Sequence, residues 1–102
     1  MGEVKTEPVV AVHYPDSHGV DPMPAGGFRV SPADDDGEQG FWYSCPCGCG
    51  RKGLLTVGKG FKPEDGPSWN WNGSLDKPTL TPSVHHVGHW HGWLTDGVWR
   101  SC

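Results

Sequence analysis

The chain is short of hydrophobic residues and contains no long stretch of them. Hydrophobic side chains make up 34% of its 102 residues, which is below the usual share in globular domains. No apolar run approaches the roughly 18 residues of a membrane-spanning helix, and no basic segment followed by an apolar one marks a secretory signal. These absences argue against a membrane protein and a secreted protein, so we expect a cytoplasmic chain with no membrane partner.

Basic residues are scarce as well. Eight lysines and arginines stand against twelve acidic residues, which gives a formal net charge of −4. The imbalance falls on residues 1–40, which carry two basic and eight acidic groups, whereas residues 41–102 carry six and four. Neither part has the dense basic stripe that binds phosphate groups. We therefore expect no nucleic-acid partner.

Long helices are excluded by the 16 glycines and 10 prolines. What the chain does contain is aromatic: six tryptophans, three phenylalanines and two tyrosines. A domain with few leucines and isoleucines has to fill its interior with such rings, so we expect most tryptophans in the core. The sequence predicts one small all-β domain, a sheet or sandwich-like arrangement with much irregular loop and no substantial helix.

The chain divides by composition at residue 40. Residues 1–40 are predicted to form an irregular acidic arm with one or two short strands, at Val9-Val10-Ala11-Val12 and at Phe28-Arg29-Val30. Its acidic run at residues 34–36 lacks the glycine and the distal glutamate of a calcium-binding loop, which indicates a solvated loop. Residues 41–102 are predicted to be a zinc-binding, β-rich core, for reasons that follow from the cysteines.

The last part of the chain carries a hairpin signal. Asp96-Gly97, between apolar flanks, is typical of a two-residue turn, although a three-residue turn would shift the register. With the two-residue turn the opposed pairs are Thr95–Val98, Leu94–Trp99, Trp93–Arg100, Gly92–Ser101 and His91–Cys102. Opposed residues share one face of the sheet. His91 and Cys102 are therefore expected to project together, and the other face, with Trp90, Leu94 and Trp99, is expected to be buried.

Three of the four cysteines lie in the segment Cys45-Pro46-Cys47-Gly48-Cys49. Thiolates on a glycine-rich turn are good zinc ligands, and a small core gains stability from a bound metal. We therefore expect a structural zinc ion that staples the domain. Its ligands are predicted to come from Cys45, Cys47, Cys49, His91 and Cys102. The subset of turn cysteines that ligates is left open, and so are two alternatives, unliganded thiols and disulfide bonds.

The order of these motifs resembles that of a family of small uncharacterised proteins from bacteriophages, prophages and bacteria. The resemblance rests on Cys45-Pro46-Cys47-Gly48-Cys49-Gly50, Trp71-Asn72-Gly73, Pro78-Thr79-Leu80-Thr81-Pro82-Ser83-Val84 and His91-Gly92-Trp93-Leu94. It covers about residues 41–102 and implies a compact, β-rich, zinc-binding protein of phage or prophage origin. Cys45, Cys47, Cys49 and His91 fall on the family's cysteine and histidine positions. Some members are neighbours of ubiquitin-like conjugation genes.

These observations favour a protein-binding or regulatory module over an enzyme. The expected partner is a host or viral protein, and the expected state is a monomer or weak oligomer. One alternative is a metal-dependent hydrolase with an open zinc position, whose acid or base would be His85, His86, His89 or Asp76. The other is a module for single-stranded nucleic acid. Its stacking and phosphate-contacting residues would be Trp69, Trp71, Trp90, Trp93, Arg51, Lys52, Lys59 and Lys62.

Overall fold

The computed structural model describes residues 6–14, 23–64, 66–86 and 90–101. These residues form nine strands and no helix, which confirms the predicted all-β class. The strands are β1 (Val9–Val10), β2 (Val12–His13), β3 (Gly27–Val30), β4 (Glu38–Ser44), β5 (Lys52–Lys59), β6 (Trp69–Trp71), β7 (Leu80–His86), β8 (Trp90–Thr95) and β9 (Val98–Ser101). No helix long and apolar enough to cross a membrane is found in the described part of the chain.

All nine strands belong to one sheet that nearly closes on itself. The strand order is β1-β9-β8-β7-β6-β5-β4-β3-β2. The two outermost strands, β1 and β2, are separated in sequence by Ala11 alone, so one short segment pairs with both ends of the sheet. The Ala11 N–H donates to the carbonyl of Gly97 at 2.8 Å, and the Ala11 side chain is buried. This segment therefore joins the last hairpin to β3.

The interior of the sheet is aromatic, as the composition predicts. Phe28, Phe41, Trp90 and Trp99 are fully buried. The Phe28 and Phe41 rings stack with centroids 4.9 Å apart, and Trp90 meets Trp99 edge-on at 5.7 Å. Such ring pairs contribute beyond the apolar area that they bury. Of the remaining tryptophans, Trp71 is buried, Trp42 and Trp69 are half-buried, and Trp93 is 45% exposed.

The predicted C-terminal hairpin is confirmed. β8 and β9 pair as Thr95–Val98, Leu94–Trp99, Trp93–Arg100 and Gly92–Ser101. Asp96 and Gly97 form the two-residue turn with φ angles of 53° and 80°, which are the positive values that the favoured hairpin turns require. The predicted buried face is also observed. The expected pairing of His91 with Cys102 falls outside the described residues, because Cys102 is not among them.

The first forty residues contribute to the same sheet. Both predicted strand segments are strands, although the first is split into β1 and β2. The acidic run is exposed, as predicted, and the Asp34 carboxylate accepts hydrogen bonds from the N–H groups of Asp36 and Glu38 at 2.9 Å. The sheet continues across residue 40, since β4 spans it, and the division of the chain at that residue stays a prediction.

Candidate active site and cysteine cluster

A serine and a histidine meet on the outer face of the sheet, on the neighbouring strands β7 and β8. Ser83 Oγ and His91 Nε2 lie 3.1 Å apart. Both side chains are half-buried, whereas their strand neighbours Val84 and Trp90 point inward and are fully buried. The pair is therefore held by the core and remains accessible from outside.

The position of Ser83 follows from an irregularity in β7. The register between β7 and β8 shifts between Leu80 and Val84, and irregularities of this kind re-aim side chains and are frequent next to active sites. The Trp69 indole N–H donates to the carbonyl of Ser83 at 3.0 Å. The Ser83 backbone is thus held on the β6 side by this hydrogen bond. The next residue, Val84, is fully buried in the core.

The position of His91 depends on close packing between β8 and β9. A Cβ atom on Gly92 would clash with the backbone carbonyl of Arg100 and would lie 2.6 Å from the Trp90 ring. Glycine therefore allows β8 to approach its partner strand. On the outer face, the His85 and His91 rings are 4.7 Å apart between centroids and tilted by 38°. These contacts limit the rotation of the His91 ring.

A serine hydroxyl this close to an imidazole nitrogen can be activated as a nucleophile. An isolated serine is a weak nucleophile, and a neighbouring general base within about 2.6–3.2 Å activates it. With a neutral imidazole, Nε2 can accept the Ser83 proton while Oγ attacks an electrophilic carbon. The arrangement therefore meets the first geometric condition for acyl transfer by a serine nucleophile.

The three cysteines of the turn after β4 form a second cluster. Their Sγ atoms all lie within 4.8 Å of one another, and those of Cys45 and Cys47 are 3.2 Å apart. The Cys45 N–H donates to the carbonyl of Arg51, and the Gly48 N–H donates to the carbonyl of Cys45, so the backbone folds around the sulfurs. Cys45 is buried, Cys47 is half-buried and Cys49 is exposed, and all three are free thiols. These three cysteines can hold a metal ion.

The cluster creates different environments for its thiols. Burial, together with the charges of the neighbouring thiols, raises the pKa of Cys45 from 9.0 to about 12. For Cys49, slight desolvation acts upward, but hydrogen bonds from Arg51 and the other thiols and the charge of Arg51 hold its pKa below the ordinary value. Burial also raises the pKa of the adjacent Tyr43 to about 12. A buried thiolate at Cys45 thus requires a nearby cation.

The structure brings together some of the predicted metal ligands. Within the described ranges, the cluster of possible metal ligands consists of Cys45, Cys47 and Cys49. His91 is not in that cluster, and its Nε2 contacts Ser83 instead. Cys102 lies outside the described residues, so its role as a ligand stays a prediction.

Sequence reasoning missed Ser83 as a functional residue. The Asp96-Gly97 turn predicts a partner for β8 only in the strand that follows it, and that pairing places His91 opposite Cys102. The signal that was present is the spacing of Ser83 and His91 on two consecutive extended segments, which antiparallel pairing can bring to one face. The register shift in β7 decides whether the two side chains meet, and it was not visible in the sequence pattern.

The fold and this site define a small all-β protein with a serine–histidine pair on its outer face. The chain belongs to the BubE family, described as bacterial ubiquitination-like system serine protease, which it matches over residues 15–102. The matched region includes Ser83, His91 and all four cysteines. Searches of the curated proteins and of the solved structures give no significant match.

Proposed function

We propose that this chain is a serine protease that acts on a protein of a bacterial ubiquitination-like system, with Ser83 as the nucleophile and His91 as the general base. The observation that carries the proposal is the 3.1 Å contact between Ser83 Oγ and His91 Nε2. The description of the family names the same chemistry. The proposal assigns the chain a catalytic role, whereas the sequence observations favour a protein-binding or regulatory module.

The proposed reaction is acyl transfer through the serine. Ser83 Oγ attacks the carbonyl carbon of the scissile bond as its proton passes to His91 Nε2. The bond from that carbon to the leaving nitrogen then breaks, and the departing amine takes the proton from His91. Water, deprotonated by His91, cleaves the resulting ester and restores the Ser83 hydroxyl.

Labelling with a fluorophosphonate tests this assignment without knowledge of the substrate. The reagent forms a covalent bond to a serine that a neighbouring base activates, and mass spectrometry of the digested protein identifies the modified residue. We expect labelling at Ser83, no labelling of Ser83→Ala, and a labelling rate reduced by about 10³-fold in His91→Ala. Thr81→Ala is the matched control, because Thr81 is an exposed hydroxyl residue on the same strand.

The proposal is wrong if the wild-type protein is labelled at another serine, or if His91→Ala reacts at the wild-type rate. An unlabelled wild-type protein also counts against it when its circular dichroism shows the β-rich fold. Loss of labelling in Thr81→Ala as well would indicate a disturbed strand and would remove the support that the serine variant gives.

The cysteine cluster carries a second proposal, a structural zinc ion. Four sulfurs around zinc at about 2.3 Å are separated from one another by about 3.8 Å, and the three sulfurs here already lie within 4.8 Å. Three thiols on a glycine-containing turn are also a donor set that suits zinc. Cys45, Cys47 and Cys49 would hold the ion, which supplies positive charge for the buried Cys45 sulfur, and Cys102 is the proposed fourth ligand.

Metal analysis of protein purified without added metal tests the zinc site separately from catalysis. We expect one zinc per chain, four sulfur neighbours by X-ray absorption, and loss of zinc in Cys49→Ser. His91→Ala is the informative control, since it should keep the zinc and lose fluorophosphonate reactivity. Zinc loss in His91→Ala would instead restore His91 as a ligand, and absence of bound metal in the folded wild-type protein would overturn the zinc proposal.

Further features of the biological setting stay predictions. These are a phage or prophage origin, a cytoplasmic location, and a monomeric or weakly oligomeric state. The family description implies protein partners, while the single-strand alternative has no support beyond the residues that suggested it. A metal-dependent hydrolase is not favoured, because the proposed nucleophile is a serine side chain outside the cysteine cluster.

A further inference from the structure

Trp93 is a large apolar side chain left exposed beside the serine–histidine pair. It lies two residues after His91 on β8, so both side chains are on the outer face of the strand. Its side chain is 45% exposed, while Trp71, Trp90 and Trp99 are at most 4% exposed. Trp42 and Trp69 are half-buried, so Trp93 is the exposed one among the six tryptophans, all of which the structure describes.

The pairing of β7 with β8 places Trp93 opposite the stretch of β7 that contains Ser83. The strands pair as Leu80–Leu94 and Val84–Gly92, with a register shift between these two pairs. Residues 81–83 therefore lie opposite the single residue Trp93, and Ser83 is the last of the three. Ser83 Oγ contacts Nε2 of His91, which lies on the same face of β8 as Trp93. Trp93 is therefore on the outer face beside the serine–histidine pair.

We propose that the Trp93 indole is the subsite that binds an apolar side chain of the substrate residue next to the scissile bond. The proposal rests on the proposed function, because it concerns the same serine. An exposed indole gains stabilisation when an apolar or aromatic group covers it and removes its surface from water. It also loses little conformational entropy on binding, since a tryptophan side chain has only two rotatable χ angles.

The charge beside the indole favours an apolar side chain over a cationic one. Arg100 faces Trp93 across the hairpin, and both residues are exposed on the same face. The guanidinium disfavours a second cation over the ring, although a tryptophan alone would attract one.

Two sulfonyl fluorides of different size test this subsite with one chemistry. In both reactions Ser83 Oγ bonds to sulfur, His91 takes the hydroxyl proton and fluoride leaves. Phenylmethanesulfonyl fluoride carries an aromatic group for the indole, and methanesulfonyl fluoride does not. The quantity measured is the ratio of the two inactivation rate constants, followed by mass spectrometry of Ser83. A variant that only slows Ser83 changes both rates and leaves this ratio unchanged.

We expect Trp93→Ala to lower the ratio about tenfold, which corresponds to about 1.4 kcal/mol of lost binding to the aromatic reagent. Trp93→Phe keeps an aromatic face and should retain at least half of the ratio. Leu54→Ala is the matched control. Leu54 is 53% exposed and lies on β5, which is separated from β8 in the sheet by β6 and β7.

The outcomes separate this inference from the proposed function. If both reagents modify Ser83 and Trp93→Ala leaves the ratio unchanged, the subsite is wrong and the serine nucleophile stands. A loss in Trp93→Phe as large as that in Trp93→Ala would also overturn the aromatic subsite. If neither reagent modifies Ser83 in the folded wild-type protein, both proposals fail.

Discussion

At the scale of single residues, the positions of the side chains on the outer face of β8 depend on how the strand packs at Gly92. Gly92 lies between His91 and Trp93, and it is the residue that brings the β8 backbone close to the carbonyl of Arg100. Any side chain there would separate β8 from β9. The positions of His91 and Trp93 thus depend on Gly92, which has no side chain.

We therefore expect Gly92→Ala to destabilise the fold by about 3 kcal/mol or more, because the backbone carbonyl of Arg100 cannot move aside cheaply. Chemical denaturation measures the change. Gly60→Ala is the control, since Gly60 has a φ of 83° and nothing within 4 Å of its added Cβ. That variant should cost only about 1–2 kcal/mol of backbone strain. Equal losses in the two variants would show that close packing at Gly92 is unimportant.

The buried Tyr43 hydroxyl predicts a dependence of stability on alkaline pH in the metal-free protein. Burial raises its pKa from 10.0 to about 12, so the folded protein disfavours the phenolate. The corresponding stability is fully present below pH 10 and is lost as the pH rises toward 12. The raised pKa of Cys45 acts in the same direction from pH 9 upward.

We expect the free energy of unfolding to fall between pH 9 and pH 11, and to fall less steeply in Tyr43→Phe. Urea denaturation in the presence of a chelator and a reductant measures both slopes. Identical slopes for the two proteins would contradict the assignment to Tyr43. In the presence of zinc, the contribution of Cys45 should disappear, because a bound thiolate has no proton to lose.

At the scale of elements, the hairpin of β8 and β9 follows from its turn. Asp96 has a φ of 53°, a conformation that Asn and Asp tolerate better than other residues with a side chain. Its N–H also donates to the Thr79 hydroxyl at 2.8 Å, which connects the turn to the segment before β7. The turn therefore helps to set β8 against β7, where Ser83 and His91 meet.

We predict that Asp96→Asn leaves stability within about 0.5 kcal/mol, because asparagine suits this turn. Asp96→Val should cost about 1–2 kcal/mol, since a β-branched residue is strained at this φ. Thermal unfolding followed by tryptophan fluorescence tests both variants. A stable Asp96→Val protein would mean that the hairpin register does not depend on the turn.

The elements also show where sequence reasoning stops. The pairs from Thr95–Val98 to Gly92–Ser101 were predicted and are observed, because a two-residue turn fixes a register locally. The pairing of β7 with β8 was not predicted. Its register shifts between Leu80 and Val84, and such a shift depends on the neighbouring strands rather than on any local signal.

At the scale of the whole molecule, five residues near the N-terminus join the two ends of the sheet. β1 pairs with β9 and β2 pairs with β3, with the buried Ala11 between them. This segment precedes residues 15–102, over which the chain matches its family. The edges that it covers carry the fully buried rings of Phe28 and Trp99.

A variant that begins at residue 15 should therefore be less stable by about 2–3 kcal/mol, since partial exposure of two large apolar side chains has roughly that cost. It should also self-associate through its uncovered strand edges. Chemical denaturation and sedimentation measure these two effects. An equally stable, monomeric truncated protein would show that closure of the sheet contributes little.

The sequence by itself determined the features that local chemistry sets. Glycines and prolines exclude long helices, aromatic residues fill the interior, Asp96-Gly97 makes the hairpin, and the closely spaced cysteines cluster whatever surrounds them. These outcomes depend on neighbours within a few residues, so composition and spacing are sufficient to predict them.

Only the tertiary structure decided the partner of His91 and the closure of the sheet. Sequence spacing allowed His91 to join the cysteines, and it gave no reason to select Ser83. The choice was made by the register of β7 against β8, by Gly92 against β9 and by Trp69 against the Ser83 carbonyl. Each of these contacts joins different strands, and a one-residue change of register moves every side chain to the opposite face.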